Sequence, residues 1–333
     1  MKLYTYQVTT CIGRFERIGA ELDGKLVDLN LACTSYLEET KDPNPYASAS
    51  FYIPPHMVKF FEGGEKSKNM ARESLHFVQT KLQKEGKIGG PNGEQVVYTF
   101  NEVKLMAPVP RPNIVWDCMV FLEHFRERWA KRGLTVPDVF YKYPCYATQS
   151  GAIVAATGDP IWIPRYTQQL DFELEMGLYI GKKGINIREE EAEQYIAGFT
   201  VFSDVSARDM QREEQGMNMG PAKGKNFEHG SIMGPCLVTL DEFDYNNAKM
   251  IVRINGQLMA EDNSKDMYHK FPKIIARISE EEYLYPGDFI ASGTCPHGTA
   301  QDTLKRWLQP GDVLDLEIEG IGRIRNEVIR RHS

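Results

Sequence analysis

The segment from Leu170 to Gly181, LDFELEMGLYIG, constrains the local fold more than any other stretch of the chain. Acidic residues stand at Asp171, Glu173 and Glu175, and an apolar residue separates each from the next. Successive side chains of a β-strand leave opposite faces of a sheet, so this alternation favours a strand with one apolar face. The other face of that strand would carry adjacent carboxylates.

Carboxylates at this spacing are compatible with a bound cation. Side chains two residues apart in a strand are about 6.5–7 Å apart, so both glutamates could bend toward one Mg²⁺ or Ca²⁺. A solvated strand face would show the same alternation, and both interpretations stay open at this point. The stretch VLDLEIEG repeats the pattern, but Arg323 and Arg325 return after its glycine turn and can pair with its acids across a hairpin. The first stripe has no returning arginines.

The best boundary in the chain is the proline-rich segment Ala107–Pro112, APVPRP. Proline fixes the backbone and removes an N–H donor, so regular structure is excluded there. We therefore expect a small N-terminal domain over residues 1–108 and a larger, catalytic domain over residues 109–333. Strands and helices of the second domain do not alternate in a βαβ rhythm, which predicts an α+β fold with a mixed sheet.

Turn and capping residues define the expected elements. An Asp-Gly pair predicts a hairpin within Arg17–Asn30, an Asn-Gly pair predicts another within Met250–Met259, and Gly86 should end a helix over Ser67–Glu85. The second domain has two further predicted strands, Ile196–Phe202 and Pro235–Leu240. Its predicted helices are Phe121–Arg132, Glu189–Tyr195, Ser206–Glu214 and Asp302–Leu308.

Composition excludes several classes of function. The net charge of −7 gives no basis for binding nucleic acid or an anionic membrane. No apolar run approaches the roughly 20 residues that span a bilayer, and the start MKLYTYQVTT lacks the apolar core of a signal peptide. Six scattered cysteines without CxxC spacing favour reduced thiols, so we expect a cytoplasmic protein.

Other residues that could carry chemistry lie at strand ends and in loops. Asp204 ends a predicted strand, where it could complete a site or only form a turn. His124 and Glu127 are three apart and share a helix face, as a general base with its partner or as a surface pair. Lys225 and Thr294 lie in glycine-rich loops that could hold an oxyanion or only turn the chain.

Taken in order, these segments resemble the fumarylacetoacetate hydrolase family. That family has an E-x-E strand, an aspartate just before SARD-x-Q, a GK-x-F loop, and a closing SGT with two PGD strands. This chain reads FELEMGLYIGK, SDVSARDMQ, GKNF, YPGDFIASGT and QPGDVLDLEIEGIG. The resemblance covers about Pro110 to Ile329, and the first domain is similar to the small leading domain of many members.

The resemblance implies a mixed-sheet roll, a homodimer and a site for Mg²⁺ or Mn²⁺. The implied metal ligands are Glu173, Glu175 and Asp204, with Asp117 where fumarylacetoacetases place a further acidic ligand. The implied substrate contacts are Arg208, Gln211, Lys225 and Thr294, with Tyr146 near a substrate-contacting tyrosine. His124 and Glu127 match the family's H-x-x-E pair, which activates water.

The activity implied first is hydrolytic cleavage of a carbon–carbon bond in a 2-oxo or 1,3-dioxo carboxylate, such as an acylpyruvate or fumarylpyruvate. In that reaction Lys225 would stabilise the enolate that departs. The same ligands could serve oxaloacetate-type decarboxylation, or isomerisation and hydration of oxo-dienoates, and a non-catalytic, metal-stabilised binding protein is a further alternative. The segment Trp129–Tyr143 is longer and more aromatic than in compact members, which suggests room for a bulkier, apolar substrate tail.

Overall fold

The structure is a computed structural model that describes residues 1–130, 133–217 and 220–330. The chain forms two compact units, Met1–Val109 and Pro110–Ser333. The sequence placed this division between residues 108 and 109. Within the described ranges, no helix has both the length and the apolar character that crossing a bilayer demands.

The first unit contains an antiparallel sheet and a group of helices. Its strands are β1 (Lys2–Thr10), β2 (Gly13–Leu22), β3 (Lys25–Asp28), β4 (Val97–Tyr98) and β5 (Lys104–Leu105). Its helices are α1 (Leu29–Glu39), α2 (Pro45–Tyr52), α3 (Met57–Glu62) and α4 (Gly64–Glu85). The strands lie in the order β4-β3-β2-β1-β5, and each neighbouring pair is antiparallel.

Helix α4 follows its prediction closely. It begins at Gly64, shortly before the expected Ser67, and ends at Glu85. Gly86 adopts a φ of 71° and donates its N–H to the carbonyl of Leu82 at 2.9 Å, the left-handed cap that glycine adopts without steric cost. The apolar stripe of α4 packs onto the sheet of the first unit around Val27, Val78 and Val96.

The second unit supplies a larger set of elements. Its strands are β6 (Ile114–Met119), β7 (Cys145–Ser150), β8 (Val154–Ala155), β9 (Ile161–Ile163), β10 (Leu170–Asp171), β11 (Leu174–Ile180), β12 (Ile196–Asp204), β13 (Ser206–Ala207), β14 (Ser231–Val238), β15 (Lys249–Ile254), β16 (Gln257–Asn263), β17 (Phe289–Ala291), β18 (Val313–Ile318) and β19 (Gly322–Arg330). Its helices are α5 (Leu122–Ala130), α6 (Asp138–Lys142), α7 (Arg208–Gln215), α8 (Phe271–Ile278) and α9 (Ala300–Thr303).

Two sheets of the second unit pack face to face. One runs β8-β14-β12-β11-β17-β6-β7, with parallel pairing at β8–β14 and at β17–β6 and antiparallel pairing elsewhere. The other runs β16-β15-β18-β19-β9, with β19 and β9 parallel. Strand β12 contacts β18 and β19, which joins the sheets. The predicted α+β fold with mixed sheets is confirmed.

Both glycine-containing hairpins form as predicted. Asp23 and Gly24 turn between β2 and β3 with φ values of 50° and 74°. Asn255 and Gly256 turn between β15 and β16 with φ values of 53° and 79°. Two successive residues with positive φ match the right-handed twist of the paired strands, which explains why these dipeptides are good predictors.

The acidic stripe departs from the single strand predicted for it. Strand β10 ends at Asp171 and pairs with β13, and β11 begins at Leu174. Glu173 lies between them and forms an isolated bridge with Thr299. The pairing partner therefore changes along the stripe, from β13 at Asp171 to Thr299 at Glu173 and to β12 and β17 along β11, which local alternation cannot show.

Some helices of the second unit differ from prediction. The segment Glu189–Tyr195 is a 3₁₀-helix and not the predicted α-helix, and Ala192 is its one buried residue. Ser206 does not cap a helix but pairs in β13, and α7 starts at Arg208. The predicted helix Asp302–Leu308 is wrong, because α9 ends early and Lys305 takes a φ of 54°. The last two residues predicted for the helix at α5, 131 and 132, lie outside the described residues.

The second acidic stripe, on β18, is explained by basic neighbours. Glu317 accepts a hydrogen bond from Arg253 of β15 at 2.6 Å, and Asp315 lies 3.4 Å from Arg323 of β19. One of these arginines comes from the returning strand, as predicted, and the other comes from the strand on the opposite side.

Candidate active site

Three strands of the larger sheet bring acidic side chains to one place. Asp117 lies on β6, Glu175 on β11 and Asp204 at the end of β12. Strand β11 pairs with β12 on one side, and on the other side β17 links it to β6. One carboxylate oxygen from each residue lies within 4.8 Å of the others. We refer to Asp117, Glu175 and Asp204 as the acidic triad.

Neighbouring groups hold one oxygen of each triad carboxylate. Gln149 donates its side-chain amide to Asp117 at 3.2 Å and to Asp204 at 2.8 Å. The backbone N–H of Gly293 donates to Glu175 at 2.8 Å. Gly293 has a φ of 80°, and a Cβ there would meet the carbonyl oxygen of Cys118 at 2.1 Å, so only glycine fits this close approach.

The remaining triad oxygens are arranged for a cation. Oε1 of Glu175 and Oδ1 of Asp204 are buried and have no hydrogen-bond partner among the described residues. Burial and the charge of Asp204 raise the pKa of Asp117 well above its usual range, and burial and the charge of Asp117 do the same to Glu175. Oxygen donors of this kind are the ligands that Mg²⁺, Mn²⁺ and Ca²⁺ prefer. The triad therefore fits a divalent cation.

Glu173 lies beside the triad, but in this structure its carboxylate contacts two basic side chains. Its carboxylate accepts from Arg208 at 2.9 Å and from Lys225 at 2.5 Å, and it is not one of the three residues whose oxygens cluster. Burial alone would raise the pKa of Glu173, but Arg208 and Lys225 outweigh burial and hold that pKa well below its usual range. Lys225 also bonds Asp204, and so joins Glu173 to the triad. A role for Glu173 as a metal ligand stays a prediction.

The two buried basic side chains, Arg208 and Lys225, each form hydrogen bonds with two carboxylates. Arg208 donates to Asp171 at 2.8 Å as well as to Glu173, and to the side chain of Gln211 at 3.0 Å. Burial acts to lower the pKa of Lys225, but Asp204 and Glu173 outweigh burial and raise it. Both cations therefore stay protonated at neutral pH, and together they balance the acids around them.

Asp117 and Glu175 of the triad line a cavity of about 500 Å³, and Asp204 lies buried behind them. Its lining combines the charged groups with the aromatic side chains of Phe125 and Trp129 from α5 and Tyr146 from β7. The predicted site residues that line it are Asp117, His124, Tyr146, Glu173, Glu175, Arg208, Gln211, Lys225 and Thr294. A volume in this range suits a small organic ligand.

His124 and Glu127 line different cavities. His124 is buried and lines the cavity, and its Nδ1 is 3.4 Å from the carbonyl oxygen of Pro296. Glu127 lines a separate depression with Asp262 and His297. Among the described residues, no hydrogen bond joins His124 to Glu127. The predicted assistance of His124 by Glu127 has no contact to support it in this structure.

Desolvation controls the charge of His124. Burial, followed by the positive charge of Arg128, lowers the pKa of His124 to about 4. The imidazole is therefore neutral at physiological pH and can accept a proton. Its Nδ1 faces the carbonyl of Pro296, which favours the tautomer with a hydrogen on Nδ1 and leaves Nε2 as the basic nitrogen.

Sequence reasoning missed several residues of the site. Arg128 lines the cavity, Gln149 bridges two triad carboxylates, and Asp171 holds Arg208. Arg128 could have been found, because it lies one helical turn after His124 and so shares its face. Gln149 gave no signal, since its contacts depend on β7 pairing with β6.

The aromatic segment Trp129–Tyr143 reaches the cavity in part. Trp129 lines the cavity beside Phe125 of α5. Phe140 of α6 packs behind Phe125, with ring centroids 5.2 Å apart, and supports it from outside. One residue of the segment thus lines the cavity directly, and room for a bulkier, apolar substrate tail stays a prediction; residues 131 and 132 lie outside the described residues.

Comparison with known proteins agrees with this geometry. The model of the fumarylacetoacetate (FAA) hydrolase C-terminal domain matches residues 114–329. The chain belongs to the fumarylacetoacetate hydrolase family. The resemblance drawn from its motifs is confirmed.

The chain is similar to several proteins named as oxaloacetate tautomerases. The chain is 34% identical over 279 residues to "Oxaloacetate tautomerase FAHD2B, mitochondrial" of Bos taurus, covering 83% of this chain and 81% of the relative. It is 32% identical over 317 residues to "Oxaloacetate tautomerase fahd2, mitochondrial" of Xenopus laevis, covering 94% and 86%. It is 30% identical over 283 residues to "Oxaloacetate tautomerase YisK" of Bacillus subtilis, covering 83% and 87%.

Solved structures of the family share the fold. A maleylpyruvate hydrolase from Sphingobium sp. SYK-6, in complex with manganese(II) ion and pyruvate, superposes with a TM-score of 0.69 at 19% identity over 100% of both chains. A fumarylacetoacetate hydrolase from Exiguobacterium antarcticum gives a TM-score of 0.67 at 24% identity, covering 99% of this chain and 100% of that one. At these identities the likeness shows the fold alone.

Proposed function

We propose that this protein is a metal-dependent tautomerase that interconverts the keto and enol forms of oxaloacetate or a close 2-oxo dicarboxylate. The observation that carries the proposal is the acidic triad, with two unpaired buried oxygens, whose members Asp117 and Glu175 line a cavity that the neutral imidazole of His124 also lines. The names of the relatives at 30–34% identity support the same substrate class. Membership of the fumarylacetoacetate hydrolase family supports the coarser conclusion that the chain is an enzyme.

The acidic triad would hold Mg²⁺ or Mn²⁺. When bound, the cation would supply positive charge beside the oxo and carboxylate oxygens of the substrate. Arg208 and Gln211 lie at the same end of the cavity, where Arg208 fixes the side chain of Gln211. The ammonium group of Lys225 has three N–H donors. In the described structure two of them donate to Glu173 and Asp204. A third donor is therefore left for a substrate oxygen.

His124 would move the proton. In enolisation, Nε2 removes a proton from C3 of the keto acid, the C2=C3 double bond forms, and the electrons of the C2=O double bond pass to the oxygen. The imidazolium then gives the proton to that oxygen, and ketonisation reverses each step. Lys225 donates a hydrogen bond to the oxygen while negative charge develops on it. One neutral base is sufficient, and no water molecule is consumed.

Carbon–carbon hydrolysis, the activity first expected, is the second candidate. It is favoured by the same observation, since the neutral His124 could deprotonate water instead of C3. Among the described residues no hydrogen bond joins Glu127 to His124, so no contact supports the expected partner of that step. Tautomerisation needs only the groups that the cavity contains, and we rank it first.

The proposal is tested by following the ultraviolet absorbance of enol-oxaloacetate with saturating Mg²⁺. Wild type should accelerate its decay well above the buffer rate. Glu175→Gln and His124→Asn should each lose about 100-fold or more of that acceleration, because removing a general base alone costs 10²–10⁴. Release of pyruvate from oxaloacetate and cleavage of acylpyruvates and fumarylpyruvate are measured in parallel. Cleavage without tautomerisation would overturn the proposal in favour of a decarboxylase or hydrolase, and inactivity with every substrate would favour a binding protein.

A further inference from the structure

Arg128 is the cavity residue whose role is not accounted for. It lies on α5, four residues after His124, so the two side chains project from the same face of the helix. Both line the cavity, and the side chain of Arg128 is 35% exposed, at the open part of the site. Phe125 and Trp129 flank it on α5 and line the cavity too.

The guanidinium of Arg128 has donors without acceptors. Its nearest carboxylate is that of Glu173, at 4.0 Å, which is too long for a hydrogen bond. Glu173 already accepts from Arg208 at 2.9 Å and Lys225 at 2.5 Å. A guanidinium has five N–H donors in a planar fork, and within the described part of the chain none of those of Arg128 reaches an acceptor. Such a group, in a cavity that Phe125 and Trp129 also line, is suited to receive an anion.

We propose that Arg128 binds the second carboxylate of the substrate, the one remote from the 2-oxo group, and so selects dicarboxylates. The inference rests on the proposed function and names the residue that sets its substrate class. The triad and Arg208 would meet the oxo-acid end, and Arg128 would meet the other end with a two-pronged hydrogen bond. A tail without charge would leave this guanidinium unpaired.

Binding of two unreactive ligands tests the inference without turnover. Malate and 2-hydroxybutanoate, as racemates, differ in a terminal carboxylate against a methyl group. Their dissociation constants are measured by calorimetry on the full chain with saturating Mg²⁺. Wild type should bind malate about 10- to 100-fold more tightly, the range expected for hydrogen bonds between charged groups. Arg128→Met should abolish the preference while leaving 2-hydroxybutanoate binding within about 2-fold, and Arg128→Lys should keep part of it.

Arg126→Met is the matched control. Arg126 is on the same helix, is exposed and pairs with Glu123, so its loss should leave the ligand ratio unchanged. If Arg128→Met weakens the binding of both ligands equally, the inference is overturned, and the role of Arg128 is only to balance the negative charge of Glu173. Equal binding of both ligands by wild type would overturn it as well. A wild type that prefers malate but does not ketonise oxaloacetate would contradict the proposed function alone.

Discussion

At the residue scale, the site depends on which carboxylate oxygens of the triad accept a hydrogen bond and which have no partner among the described residues. Each triad carboxylate has one oxygen held by Gln149 or Gly293, and the unheld oxygens of Glu175 and Asp204 are buried. The sequence indicated Glu175 and Asp204 through their motifs. It indicated Asp117 only by position, because a lone aspartate in a strand has no distinctive spacing.

The pKa of His124 predicts the pH profile of the reaction. The neutral imidazole is the active form, and its pKa of about 4, against an ordinary value of 6.5, keeps it neutral over the physiological range. We expect kcat/KM for enolisation to fall only as pH drops through about 4. His124→Asn should lack this acid limb at its lower rate. A limb near 6.5 in the wild type would show that His124 is not the desolvated base described here.

The lowered pKa of His124 also makes the free energy of unfolding depend on pH. The unfolded chain binds a proton on His124 below about 6.5, whereas the folded chain resists protonation until about 4. The neutral, buried state therefore contributes stability at neutral pH, and this contribution is lost as pH falls from about 6.5 to 4. The acid limb should accordingly be measured at a temperature well below that of unfolding.

At the element scale, prediction succeeded where local residues decide the backbone. The Asp23-Gly24 and Asn255-Gly256 turns and the Gly86 helix cap adopt the expected positive φ values, because few other dipeptides tolerate them. Prediction failed at the acidic stripe, which forms two strands with Glu173 between them, paired to Thr299 in an isolated bridge. That contact joins segments far apart in the sequence, so no local pattern reports it.

The loop after β17 is the element that connects the site to its surroundings. It supplies Gly293, which bonds the triad, and Pro296, whose carbonyl faces His124. Asp262 of β16 fixes its far end, because both carboxylate oxygens accept from His297, one from the backbone N–H and one from Nδ1, each at 2.9 Å.

We predict that Asp262→Ala loosens this loop. Loss of two hydrogen bonds to a carboxylate should lower the free energy of unfolding by about 1–3 kcal/mol. It should also reduce kcat more than it raises KM, since His124 loses its orientation while the triad stays intact. Thermal melts and steady-state kinetics measure both effects. Asp266→Ala is the control, because this exposed residue lines the same depression and has no bond to the loop among the described residues. Unchanged stability and kcat in Asp262→Ala would contradict the role given to this contact.

At the scale of the whole molecule, strand order creates the site. Strands β12, β11, β17 and β6 lie side by side although β6 and β17 are distant in the sequence, and this order sets Asp117 beside Glu175 and Asp204. Composition and alternation predicted that sheets would form and that they would be mixed. They could not predict which strands would be neighbours, because tertiary packing, and not local propensity, decides that order.

Metal should therefore stabilise one unit of the protein in particular. At a Mg²⁺ concentration 100 times the dissociation constant, binding adds about 2.7 kcal/mol to the free energy of unfolding, which corresponds to roughly 5–10 °C. Hydrogen exchange should slow in β6, β11 and β12, which carry the triad, while β1 to β3 of the first unit serve as an internal control. Glu175→Gln should lose the effect.

The stabilisation by Mg²⁺ should also depend on pH. In EDTA, the raised pKa values of Asp117 and Glu175 mean that the folded chain binds more protons than the unfolded chain. The contribution of these two residues to stability therefore falls as pH rises from about 4. The benefit of Mg²⁺ should then grow with pH, because the ion takes up the charge that the ionised carboxylates would otherwise leave uncompensated. Melting curves with Mg²⁺ and with EDTA that superimpose at every pH would contradict a metal site at the triad.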